Sequence, residues 1–163
     1  MIKPIEKIFP PTELRKKLAK AQEQGQKVVF TNGCFDILHE GHVTYLYEAR
    51  QAGDLLVMGV NSDASIGRLK GPKRPINPLD ERMLILASLY FVDYVASFEE
   101  DTPLELITTL QPDLLVKGGD WDIDSIVGRE IVEGRGGKVF NLPLVAGKAT
   151  TGVIERIVER YVN

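Results

Sequence analysis

Cysteine and histidine are nearly absent from this chain. Among 163 residues Cys34 is the single thiol, and His39 and His42 are the two imidazoles. One cysteine excludes an intrachain disulfide and fits a reducing cytoplasm, the expected location. Two histidines and one thiol also leave a transition-metal centre short of ligands. The histidines stand three apart, whereas a His-Glu-x-x-His zinc helix spaces them four apart. Long apolar runs are missing too. The longest, Leu55–Val60, has six residues counting its glycine, against the ~20 a membrane helix needs. The first residues carry no apolar stretch of the secretory type. Nor does one sign of charge dominate: 20 Lys and Arg face 23 Asp and Glu, a net charge of −3. That balance argues against a nucleic-acid partner bound through bulk electrostatics. Neither common phosphate loop occurs. No G-x-G-x-x-G follows the first strand, and the nearest approach to G-x-x-x-x-G-K-[ST], at Gly147-Lys148, has Leu142 where the first glycine belongs.

What is present alternates. Buried-strand patterns are predicted at 27–31, 54–60, 92–97, 113–117 and 138–142, with helices at 42–52, 79–88, 103–110, 125–134 and 151–161. An earlier helix, capped by Thr12, fades at Gly25. Asn77-Pro78 and Thr102-Pro103 carry the signature of a cap followed by proline. Near-continuous apolar strands such as Leu55-Leu56-Val57-Met58 indicate burial on both faces. The expected fold is a single doubly wound, Rossmann-like α/β domain with a mostly parallel five-stranded sheet. Residues 1–24 form a helical extension and 25–162 the core.

Ligands of such sheets bind beyond the carboxyl ends of the strands, and the unusual polar segments fall there. After the first strand come Asn32-Gly33-Cys34-Phe35-Asp36 and then His39-Glu40-Gly41-His42 at a helix start. Two imidazoles three apart lie on one side of a first helical turn, where free N–H groups and the positive dipole end also point. This is an anion site, and phosphate is its natural anion. The loop residues Gly33–Phe35 add backbone N–H groups. Cys34 reads as a small packing residue rather than a nucleophile. Asn61-Ser62-Asp63 follows the second strand. A basic loop, Arg68 to Pro75, offers Lys70 beside Gly71 as a phosphate clamp. Lys117-Gly118-Gly119-Asp120-Trp121, with the only tryptophan, follows the fourth strand. Lys148 with Thr150 and Thr151 opens the last helix.

These residues resemble the nucleotidyltransferases of the cytidylyltransferase-like, HxGH superfamily. Within it the chain is similar to the adenylyltransferase part of the heptose-phosphate enzymes that make ADP-heptose. Thr31–Asp36, His39–His42, Asn61–Asp63, Arg74–Pro78, Val116–Trp121, Gly136–Val139 and Thr150–Thr151 carry the likeness, across roughly residues 25–162. HxGH marks the superfamily and the KGGD-aromatic loop the heptose branch. The chain departs from the pattern at Ala149, where serine is more usual. It reads as a free-standing form without the sugar-kinase domain.

The resemblance implies transfer of AMP from ATP to a heptose 1-phosphate with Mg²⁺, pyrophosphate leaving. His39, His42 and Lys70 would be catalytic. Thr31, Asn32, Gly33, Cys34, Phe35, Gly41, Asn61, Asp63, Lys117, Gly118, Gly119, Lys148, Thr150 and Thr151 would hold nucleotide and phosphates. Asp36, Arg74, Asp120 and Trp121 would lie toward the sugar phosphate, Asp36 alternatively orienting a loop. No protein ligand to the metal is assigned. A homodimer and a separate upstream sugar kinase are the expected partners, with no nucleic acid and no membrane. The alternatives are a sister transferase acting on glycerol 3-phosphate, pantetheine phosphate or FMN, and a nucleotide-binding module without turnover.

Overall fold

The computed structural model describes residues 2–119 and 121–162. Five strands, β1 (Val28–Gly33), β2 (Leu55–Asn61), β3 (Tyr94–Phe98), β4 (Leu114–Gly118) and β5 (Lys138–Leu142), form one sheet in the order β3-β2-β1-β4-β5. Every pairing is parallel. Successive strands run outward from β1 first one way and then the other, so the topological switch point lies between β1 and β4.

Side chains alternate across the pleat, and two cores result. Val29, Met58, Val92 and Val116 pack beneath α2 (Glu40–Gln51) and α4 (Leu79–Ser88). Val28, Phe30, Leu115 and Ala96 pack beneath α1 (Pro11–Glu23), α5 (Leu104–Leu110) and α6 (Arg129–Glu133). The central strands are buried on both sides, which explains their unbroken apolar runs. A last helix, α7 (Thr150–Tyr161), follows β5. Among the described residues no helix is long and apolar enough to cross a membrane.

Several boundaries differ from the sequence expectation, each for a local reason. Asn32 and Gly33 belong to β1, paired with Gly59 and Val60, and not to a turn. A helix not foreseen, α3 (Asp63–Lys70), follows β2. Its signal is Ser62, whose hydroxyl caps the Ser65 N–H at 3.1 Å. Arg68 and Lys70 therefore sit on the last turn of α3, and the basic loop is confined to the residues after it. The predicted helix 125–134 is instead a 3₁₀ turn at Ile123–Ser125 and the short α6. Gly128 separates them with φ 90°, and a Cβ there would lie 2.5 Å from Ile107. Helix α1 begins one residue before the foreseen cap Thr12, and α4 and α5 begin two residues after Asn77 and Thr102, with Pro10, Pro78 and Pro103 at the cap positions. The helical extension packs on the sheet. Ile8 bridges Val95 at the outer edge of β3, and the Lys7 ammonium donates to the carbonyls of Leu89 and Val92 at 3.1 and 2.8 Å.

Candidate active site

Helix α2 begins at the HxGH sequence. His39 is its N-cap, in extended conformation, and its carbonyl accepts from the N–H of His42 at 2.9 Å and of Val43 at 3.2 Å. The two imidazoles stack, centroids 3.8 Å apart and planes 21° from parallel. Nδ1 of each ring is buried with no hydrogen-bond partner among the described residues. Phe35 meets His42 edge-to-face at 5.2 Å. Phe35 is buried and holds a left-handed backbone, φ 45°, a conformation that costs a non-glycine residue about 1–2 kcal/mol. Its ring lies over Gly33, where a Cβ would come within 3.0 Å. A side chain at position 33 would press on the aromatic ring that meets His42.

Burial above all, and then the neighbouring His39, pull the His42 pKa down to about 4, with the Ile37 backbone acting in the other direction. His39 is lowered by burial and by Arg156 and Lys148. At neutral pH the pair is uncharged, and each ring has one N–H to donate. Gly41 has its own steric reason. A Cβ there would lie 2.9 Å from the Lys148 Cβ and 3.2 Å from the His39 ring. Lys148 is brought to the helix start by an ion pair with Glu40 at 2.7 Å.

Two ion clusters fasten the loop after β1, each built on one fully covered charge. Asp36 is fully covered. It accepts from Arg74 Nε and from the backbone N–H groups of Ile76 at 2.8 Å and Asn77 at 2.9 Å. Burial pushes its carboxyl up, but Asn77, Ile76 and Arg74 together outweigh this and hold it below the ordinary range. Its oxygens are occupied within the protein, which makes it the anchor of the 74–77 segment. Arg82, in α4, is also fully buried. It donates to the carbonyls of Cys34 at 2.6 Å, Asn61 at 2.8 Å and Asn77 at 3.0 Å, and to Asp63 Oδ1 at 2.8 Å. Sequence reading missed Arg82. Its signal was placement: three after Leu79 and four before Leu86, on the apolar stripe of α4.

A cleft of about 590 Å³ opens over the carboxyl ends of β1, β2 and β4. Its polar floor is Asn32, Gly33, Cys34 and Asp36 from β1 and its loop, with Asn61 from β2. Around it stand His42 and Phe35, the cations Lys70, Arg74 and Lys117, then Gly118, Trp121, Thr150 and Thr151. These expected residues, from six separate stretches, therefore meet. Others lie behind the lining. Thr31 is fully buried, its hydroxyl joined to that of Tyr45, which donates in turn to the Val116 carbonyl at 3.1 Å. Asp63 is held by Arg82. Gly41, His39, Gly119 and Lys148 flank the cleft without lining it. Asp120 lies outside the described residues. Tyr45 and the 101–103 loop line the cleft without having been foreseen. The Cys34 thiol is raised by burial, against the pull of Lys70, Arg82 and Arg74, so no thiolate nucleophile is present at neutral pH.

The cations are unequally committed. Arg68 is paired with Asp101 at 2.7 Å, Arg74 with Asp36, and Lys148 with Glu40. Lys70 and Lys117 line the cleft with no carboxylate within ion-pair distance among the described residues. Among those residues no three His, Cys, Asp or Glu side chains converge to hold a metal ion. Among the described residues the cleft's carboxylates, Asp36 and Asp101, are both bound to arginines.

Comparison with known proteins adds the following. The family model described as cytidylyltransferase-like matches residues 30–153. The bifunctional protein HldE of Trichlorobacter lovleyi is 57% identical over 146 residues, 90% of this chain and 30% of that one. HldE of Syntrophotalea carbinolica is 59% identical over 148 residues, 91% of this chain and 30% of that one. The chain thus spans about 30% of the length of these relatives. In a crystal structure of a lipopolysaccharide core biosynthesis protein from Thermoplasma volcanium, 98% of that chain superposes on 74% of this one. The TM-score is 0.61 and the identity 30%.

Proposed function

Because this chain belongs to the cytidylyltransferase-like family, we propose that it transfers AMP from ATP to a heptose 1-phosphate, giving ADP-heptose and pyrophosphate. One observation carries the reading: a neutral, stacked histidine pair at a helix N-terminus borders a cleft that also collects Lys70, Lys117, Thr150 and Thr151. The KGGD-aromatic stretch at 117–121 and the match to HldE over nine-tenths of the chain favour a heptose phosphate as acceptor.

In this mechanism an oxygen of the sugar phosphate attacks the α-phosphorus of ATP in line. The bond to the β-phosphate breaks, and its electron pair leaves with pyrophosphate. Little covalent chemistry is asked of the protein. Position and charge stabilisation supply the rate. His42, with His39 stacked behind it, donates to phosphate oxygens as charge develops. Being neutral, the pair gives hydrogen bonds without a buried cation's desolvation cost. Gly33–Phe35 present backbone N–H groups. Lys70 holds the departing phosphates, with Lys148 released from Glu40 and Thr150 and Thr151 at the start of α7. Asn61, Asp63, Gly118 and Gly119 frame the nucleoside. Arg74 and Trp121 face the sugar, and Asp36 positions Arg74. Mg²⁺ would accompany ATP and neutralise its phosphates. A homodimer, a cytoplasmic location and a separate kinase making the sugar phosphate complete the reading. The exposed apolar positions Ile157, Val158 and Tyr161 of α7 support the dimer.

The test is ATP labelled at its α-phosphorus, incubated with the protein and D-glycero-β-D-manno-heptose 1-phosphate. Label is expected in the sugar nucleotide and none on the protein. Label trapped on Cys34 or a histidine would overturn direct attack.

A further inference from the structure

We infer that Lys117, with Asn32, is the seat of the acceptor's phosphate, on the opposite face of the sheet from the histidines that serve the nucleotide. The inference rests on the transfer reaction proposed above and divides its cleft in two.

Strand alternation makes the division. In β1, Val29 lies in the core under α2, and Thr31 bonds Tyr45 of α2. Val28 and Phe30 lie in the other core, under α1 and α5, and Asn32 continues their side. In β4, Val116 belongs to the α2 core and Leu115 to the α5 core, so Lys117 continues the side of Leu115. The two residues meet across the switch point, Lys117 Nζ donating to Asn32 Oδ1 at 2.6 Å. Both line the cleft. His42 and Phe35, by contrast, stand with α2.

Lys117 is a partly buried ammonium whose single protein acceptor among the described residues is that neutral amide. Desolvation alone pulls its pKa down to about 8, and at pH 7 it is still charged. A partly buried cation with one neutral acceptor is costly unless an anion completes it. Arg68, Arg74 and Lys148 are spent on carboxylates, whereas Lys117, like Lys70, has none within ion-pair distance among the described residues. Among the described residues one of its three ammonium hydrogens is engaged, which leaves two for a ligand. A phosphate satisfies both the charge and the hydrogen bonds.

The surroundings identify which phosphate. Thr102 and Pro103 before α5, with Ser125 and Val127 before α6, wall this side of the cleft. Trp121 lies at its mouth, half exposed, with Nε1 donating to the Gly118 carbonyl at 3.2 Å. Hydroxyls, an indole face and one cation suit a compact polyol carrying a single phosphate. The polyanionic chain of ATP has its own donors beside the histidines: the α2 N-terminus and the threonines that open α7, next to Lys148 and its pair with Glu40. Two anions held on two faces also keep their mutual repulsion low until they are brought in line.

Calorimetric titration of ATP, and separately of heptose 1-phosphate, into the wild-type chain, Lys117→Met and Lys117→Arg tests this. Lys117→Met is expected to weaken sugar-phosphate binding by tenfold or more while ATP binding changes less than threefold. Lys117→Arg is expected to keep sugar-phosphate binding within a few fold of wild type. Equal losses for both ligands would assign Lys117 to the nucleotide and overturn the inference, as would unchanged sugar-phosphate binding in Lys117→Met. A wild-type chain that binds the sugar phosphate yet releases no pyrophosphate refutes the transfer reaction and leaves this comparison intact.

Discussion

At the scale of residues, the site depends on keeping imidazoles uncharged. His42 is covered by Phe35 and by the His39 ring, and a proton on either ring would be repelled by the other. The sign of the consequence for stability is fixed. Free histidine titrates near pH 6.5 and folded His42 near 4, so between these values the unfolded chain binds a proton that the folded chain refuses. Stability is therefore lost as pH falls through that window, by up to about 3 kcal/mol for a shift of this size. His42→Ala should flatten the slope of unfolding free energy between pH 6.5 and 4, read from urea transitions. The same variant should lose ~10² or more in kcat with ATP affinity little changed, the usual cost of removing a transition-state donor. An unchanged slope or unchanged turnover would each contradict the role of the pair.

At the scale of elements, the loop after β1 is fastened because α3, α4 and the segment between them reach back to it. Arg82 gathers three carbonyls and Asp63, and Asp36 gathers Arg74 and two backbone N–H groups. Asp36→Ala leaves the shielded Arg74 without its carboxylate and two N–H groups without an acceptor. Breaking a buried pair from one side costs about 3–5 kcal/mol, which for a chain of this size lowers Tm by roughly 6–20 °C. Thermal unfolding checks it, and a loss below 2 °C would show that the loop is held by other means. This tier was the least legible in the sequence. HxGH, the KGGD stretch and the Thr150–Thr151 start were readable because each places chemistry-bearing side chains at a strand end. Helix α3 was hidden, having only Ile66 and Leu69 as apolar landmarks on eight residues. Arg82 and the covered state of Asp36 were hidden because a charged residue in sequence reads as solvated until its partners from distant segments are placed around it. The Gly128 break was hidden because apolar spacing continues across it.

At the scale of the whole molecule, an all-parallel sheet ordered β3-β2-β1-β4-β5 brings four loops and two helix starts to one rim. That was legible from the alternation of strand and helix patterns, since buried parallel strands read as unbroken apolar runs. The role of the first residues was not: Ile8 and Phe9 cover the edge of β3 through a backbone pairing that hydrophobic pattern does not reveal. The resulting cleft has a phosphate pole on each face of the sheet, and the central claim is that these poles receive ATP and a heptose 1-phosphate. Pyrophosphate release by the purified chain tests it most directly. ATP or CTP is supplied with Mg²⁺ and either the β- or the α-anomer of D-glycero-D-manno-heptose 1-phosphate. Release with ATP and the β-anomer, and with no other pair, is the predicted result. No release with any pair, while ATP binds measurably, would contradict the account.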